Sequence, residues 1–171
     1  HAFKPGVKRL GKCRIDVQPD AGDLIVFAQQ TRQRSCIHVG AHADEFVGLG
    51  GTGLAVELGA VSADHLVRTP TADIQALSRS STVAVSLPCA PFGLGERDYT
   101  PAGALLDAGA ILALASDLNP GTAWCESMQF VIALACRAMR LTPAQAIAAA
   151  TAARAVTRRP DLSPALAMGA V

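Results

Sequence analysis

Aromatic residues are scarce in this sequence, at 4% with a single Trp and a single Tyr, and charged residues make up only 17%. A large β-sandwich would want more aromatic and β-branched side chains than are present. The charge balances at 15 Lys and Arg against 14 Asp and Glu. That excludes a disordered acidic or basic tail, and it argues against a protein that binds nucleic acid by neutralising phosphates. The five cysteines, Cys13, Cys36, Cys89, Cys125 and Cys136, are odd in number and contain no Cys-x-x-Cys pair. They read as reduced thiols, not as a disulfide framework or a zinc knuckle. No uninterrupted apolar run reaches the roughly 18 residues of a membrane span, and the first residues carry no apolar signal-peptide core. A cytoplasmic protein without a membrane partner is therefore expected. An initiating Met is also missing, which suggests a piece of something longer.

What is plentiful is alanine, 33 of 171 residues, within a chain that is 50% hydrophobic. Such a composition suits buried parallel strands covered by Ala-rich helices. Residues 1–36 stand apart. They hold seven Lys and Arg against three Asp and Glu, a net charge of +4, and their hydrophobic periodicity is poor outside 24–28. This basic N-terminal segment is expected to be a solvated arm without regular strands. From residue 37 a rhythm begins. Apolar runs at 37–42, 61–66, 82–87 and 110–115 predict strands. Helices are predicted at 53–58, ended by Gly59, at 70–78 with Pro70 in the first position, and from Pro101 to Gly109. A long helix at 124–140 follows, then an Ala-rich one opened by a capping box at Thr142 and Gln145. Each βα unit takes roughly 20–30 residues, as in parallel α/β folds. The rhythm alone fits a doubly wound sheet and part of a (β/α)8 TIM barrel equally well.

Three polar clusters fall at or just past predicted strand ends, where barrel enzymes carry their catalytic groups. The first is His42-Ala43-Asp44-Glu45, a nitrogen ligand beside two carboxylates. The second is Ser62-Ala63-Asp64-His65. The third is Ser116-Asp117-Leu118-Asn119-Pro120-Gly121-Thr122, which holds the sole asparagine of the chain. Taken singly, each has an ordinary structural explanation: a surface histidine, a histidine held by its neighbouring aspartate, an Asn-Pro-Gly turn. Together they offer the mixed nitrogen and oxygen donors that Zn²⁺ and Fe favour.

In order and spacing, the stretches HADEF, LGGTGLAVELGAVSADHL, TVAVSLPCAPFGLGERDYTPAGALLDAGAILALASDLNPGT and ESMQFVIALACRAMRLTPAQAIAAAT resemble the C-terminal half of the barrel of the imidazolonepropionase family, in the amidohydrolase superfamily. The resemblance runs from His42 to Thr151. It implies a metal-dependent hydrolase that opens the cyclic amide of 4-imidazolone-5-propanoate to N-formimidoyl-L-glutamate in histidine degradation, with one Zn²⁺ or Fe ion per complete site. By the same resemblance His42 and Asp117 are metal ligands. His65, Glu45 and Asp117 carry the catalysis, and Glu45, Asn119, Gly121 and Thr122 contact the substrate.

The family's His-x-His pair on its first barrel strand has no counterpart here, nor do the Arg, Tyr and His residues that clamp its substrate. Residues 37–171 are accordingly expected to be the C-terminal half of a barrel. On its own such a half would bind metal weakly, would be inactive, and would need the missing N-terminal half as partner; a homo-oligomer is the other assembly considered. The alternatives are another amidohydrolase acting on a different cyclic substrate and a non-catalytic remnant.

Overall fold

The computed structural model describes residues 13–16 and 39–152. Five strands, β1 (Cys13–Asp16), β2 (Val39–Ala43), β3 (Ser62–His65), β4 (Val83–Ser86) and β5 (Leu112–Leu114), form one sheet in chain order. Every neighbouring pair is parallel. The order never doubles back, which removes the doubly wound alternative and leaves the wall of a partial (β/α)8 barrel. Four strands are those expected, with ends shifted by one or two residues.

The fifth is a correction. β1 lies inside the basic segment that was expected to hold no strand, and it pairs with β2 from Cys13 opposite Val39 to Asp16 opposite His42. Charged neighbours hide a four-residue alternation from any search for apolar runs. The rest of residues 1–36, including the apolar run at 24–28, lies outside the described residues.

Among the described residues six helices follow the strands: α1 (Gly51–Glu57), α2 (Thr71–Ser78), α3 (Cys89–Gly93), α4 (Ala102–Asp107), α5 (Met128–Ala138) and α6 (Pro143–Thr151). α3, which holds Pro91 and Gly93, was not among the expected helices. Pro70 and Pro101 sit at the N-cap instead of the first helical turn, Pro70 with extended backbone. At Thr142 the capping box is present as expected, with Pro143 inside the first turn. α1 and α4 stop in the same way. Gly59 and Gly109 take positive φ, and Ala60 and Ala110 then donate back to Ala55 and Leu105. This is a Schellman closure, which only glycine adopts without strain.

β4 and β5 are buried on both faces, as a parallel sheet requires. Ala84, Leu112 and Leu114 pack with helix residues such as Leu77, Leu105, Val131 and Ala146. The alternate residues Val83, Val85, Ala113 and Ala115 form a second cluster with Leu87. Small alanines on the strands let the helices lie close, and Ala63 and Ala84 have no exposed surface. Among the described residues no helix is long and apolar enough to cross a membrane.

Candidate active site

Parallel strands aim all their C-terminal ends at one rim, and the three polar clusters meet there. His42 lies in β2, Glu45 two residues past its end, His65 is the last residue of β3, and Asp117 follows β5. His65 is the hub. Its Nε2 stands 2.9 Å from Nδ1 of His42 and 4.0 Å from Oδ2 of Asp117, while its Nδ1 stands 3.5 Å from Oε1 of Glu45. The imidazoles of His42 and His65 are tilted by 54° with centroids 4.6 Å apart. His65 is buried at 2% exposure, whereas Glu45 keeps a quarter of its side chain open. Glu45 also lines a shallow cleft with Phe46, Arg68, Pro91 and Leu94.

The backbone at this rim is strained. Asp44, His65, Leu66 and Asp117 all have φ between 50° and 74°, unusual for residues other than glycine. Each such residue costs about 1–3 kcal/mol and persists only where its surroundings impose it. Here they do. Leu66 N donates to Ala43 O at 3.1 Å and Arg68 N to Asp44 O at 2.7 Å. The His65 carbonyl accepts from Thr100 Oγ1 at 2.6 Å.

Asp44, one of the two carboxylates beside His42, has a structural task. It is buried and accepts from the amides of Leu49, Gly51 and Thr52 and from the Thr52 hydroxyl. Asp73 accepts from the Gly53 amide at 3.0 Å. Two carboxylates thus satisfy the first three N–H groups of α1 and oppose its dipole, which supports a helix otherwise poor in helix-forming residues.

Asn119 folds the turn after β5. Its Oδ1 accepts from the amides of Gly121 and Thr122, both at 2.9 Å. Its Nδ2 donates to the backbone oxygen of Asp117 at 2.7 Å and to Asp117 Oδ2 at 3.1 Å. The loop expected to contact substrate is therefore also what orients the Asp117 carboxylate. Gly93 of α3 lets this loop approach, since a Cβ there would lie 1.9 Å from Thr122 O.

Nitrogen and oxygen donors of His42, Glu45 and His65 lie within 4.8 Å of one another, a group able to hold a metal ion. Two ligands of a tetrahedral zinc at about 2.0–2.1 Å stand about 3.3 Å apart. The His42 and His65 nitrogens, 2.9 Å apart, are closer than that, at hydrogen-bond distance, and the nitrogen and oxygen donor set fits Zn²⁺ or Fe. Asp117, the other expected ligand, is outside this group, 4.0 Å from His65 Nε2. Buried just behind the rim, Cys89 has its thiol pushed up to about 12, first by burial, then by its hydrogen bond to Cys125 and the charges of Cys125 and Asp117. The sequence pointed to His42, Glu45, His65 and Asp117, and all four come together. It gave no sign of Thr100 or Ser86, which carry no reactive group and sit in other βα units.

No family model matches the chain. Curated relatives do. The imidazolonepropionase of Herpetosiphon aurantiacus is 62% identical over 110 residues, 64% of this chain and 26% of the relative. That of Rubrobacter xylanophilus is 53% identical over 111 residues, and that of Porphyromonas gingivalis 50% over 115. The chain thus spans about a quarter of the length of the relatives it matches. Among solved structures, Aspergillus niger ochratoxinase aligns with a TM-score of 0.61 at 18% identity, covering 83% of this chain and 38% of that one. A zinc-bound adenosine deaminase from Xanthomonas campestris aligns at 0.52 and 19%, covering 87% and 35%. Over about two-thirds of its length this chain is similar in sequence to a quarter of an imidazolonepropionase, carried on a parallel α/β sheet that shares its fold with these two solved structures.

Proposed function

We propose that this chain carries one side of the active site of an imidazolonepropionase, which opens the cyclic amide of 4-imidazolone-5-propanoate by hydrolysis to N-formimidoyl-L-glutamate. The observation that supports it most is the convergence of His42, Glu45, His65 and Asp117 from three different βα units on one rim.

His42 and Asp117 would hold one Zn²⁺ or Fe ion, together with ligands from the rest of a barrel. When bound, the ion supplies a Lewis acid that lowers the pKa of a coordinated water towards about 7. His65 is placed to move a proton: it stands 4.0 Å from Asp117 Oδ2 on one side and 3.5 Å from Glu45 Oε1 on the other. Glu45 borders the cleft and suits a ring N–H, since a carboxylate only accepts. Asn119, Gly121 and Thr122 hold the substrate's propionate end once their turn opens its mutual hydrogen bonds to it. Phe46, Pro91 and Leu94 would keep water from the ring. The protein works in the cytoplasm.

The test is hydrolysis of 4-imidazolone-5-propanoate, followed by product formation, with the 171-residue chain alone and with it supplemented by the complementary part of the Herpetosiphon relative. Turnover in the supplemented sample, lost in His65→Ala and in Asp117→Ala, is the expected result. No turnover of this substrate alongside turnover of another cyclic amide would overturn it.

A further inference from the structure

His65 has to do more than lie near its partners. Its ring reaches His42, Glu45 and Asp117 from a backbone with φ of 74°, and Leu66 after it takes φ of 61°. An uncommitted L-residue at a strand end would relax to negative φ and swing the ring off the rim. The peptide between His65 and Leu66 is held at both ends, and Leu66 N donates to Ala43 O at 3.1 Å. The other end of that peptide is the His65 carbonyl, which can only accept a hydrogen bond.

Its donor is Thr100, from the segment before α4, at 2.6 Å. A threonine hydroxyl has one proton, so Thr100 Oγ1 must be the acceptor in its 2.7 Å contact with Ser86 Oγ, at the end of β4. The Ser86 proton is then committed in turn, and the Met139 sulfur 3.6 Å from Ser86 Oγ serves as packing. All hydrogens of the chain Ser86, Thr100, His65 have a single consistent direction. Thr100 and Ser86 are buried, at 4% and 0% exposure. A missing member would leave its neighbour unsatisfied in a buried setting.

We infer that Thr100, oriented by Ser86, is a positioning residue that locks the left-handed backbone of His65 and so sets the direction of its imidazole. The inference rests on the reading of His65 as the proton-moving group of the site. It adds that the group's aim is fixed from two other βα units, by buried hydroxyls outside the set His42, Glu45 and Asp117.

The experiment compares the 171-residue chain with its Thr100→Val, Thr100→Ser and Ser86→Ala variants. Imidazole nitrogen and proton NMR reports the His65 ring and its contact with His42, Co²⁺ titration by visible absorption reports the rim as a metal site, and circular dichroism reports the fold. Thr100→Val is expected to shift the His65 ring resonances, to abolish the His65–His42 contact and, because His42 then loses its hydrogen-bonded partner, to weaken Co²⁺ about tenfold or more, within the range seen when supporting hydrogen bonds of metal sites are removed. Thr100→Ser, which keeps the hydroxyl, is expected to restore all three, and Ser86→Ala to fall between. A folded Thr100→Val chain with the wild-type His65 spectrum overturns the inference, as does a Thr100→Ser chain as altered as Thr100→Val. Should Thr100→Val not fold, the inference falls if Ser86→Ala leaves the His65 spectrum unchanged. A wild-type chain that binds no Co²⁺ but loses the His65–His42 contact on Thr100→Val would overturn the metal site and uphold the positioning role.

Discussion

Asp44 shows how closely a structural carboxylate can sit beside a chemical one. It is the neighbour of Glu45, yet its oxygens are taken by three amides and a hydroxyl at the start of α1. Asp44→Ala should destabilise the chain by about 2 kcal/mol in urea unfolding, the upper range for losing a helix-terminal acceptor. Asp44→Asn should cost less, because Asn tolerates positive φ and keeps one acceptor oxygen. Cys89 offers a pH test. Burial pushes its thiol up to about 12, well above the ordinary cysteine value, so folding favours the protonated form. That stabilisation is complete below pH 9 and lost as the pH climbs towards 12. Unfolding free energy should therefore fall above pH 9, and fall less steeply in Cys89→Ala. At pH 8.5 iodoacetamide should modify Cys89 more than about tenfold slower than the partly exposed Cys125.

At the scale of elements, the close contact of α3 with the turn after β5 carries a sharp expectation. Gly93→Ala places a methyl group 1.9 Å from Thr122 O, so either α3 or the turn must move. A loss of about 1–3 kcal/mol is expected, the usual cost of overpacking, with amide NMR shifts concentrated at Asn119–Ala123. Elements also show what a sequence can and cannot announce. Apolar runs such as Val83–Ser86 advertise themselves, because both faces of a parallel strand are buried. Gly59 and Gly109 announce helix ends, since positive φ favours one residue type. β1 stayed hidden because Lys12, Arg14 and Asp16 break its apolar signal. α3 stayed hidden because Pro91 lies within its first turn, where proline is harmless but reads as a breaker. His42, His65 and Asp117 were legible through their strand-end positions. Thr100 was not, since its value comes from a carbonyl 35 residues away that no spacing rule connects to it.

For the whole molecule, the rim joins groups spread from β2 to the turn beyond β5, so a ligand bound there ties the sheet together. Zn²⁺ at about a hundred times its dissociation constant should add about 2.7 kcal/mol of stability by mass action alone. A thermal-shift titration should show the midpoint rising with Zn²⁺, returning with EDTA, and not responding in His42→Ala. A rise of equal size in His42→Ala would place the ion elsewhere.

The strictly sequential order of the sheet also sets a timetable for synthesis. Each strand leaves the ribosome with its only earlier neighbour already made, so pairing can advance one unit at a time without long excursions of chain. The two imidazoles can meet as soon as β3 has docked on β2. Thr100, which pins the second of them, emerges some 35 residues later, and Asp117 later still. For the interval between, a nascent chain displays an unbraced pair of histidines with no carboxylate from β5. The rim therefore takes its final geometry only once the chain has been made through Asp117.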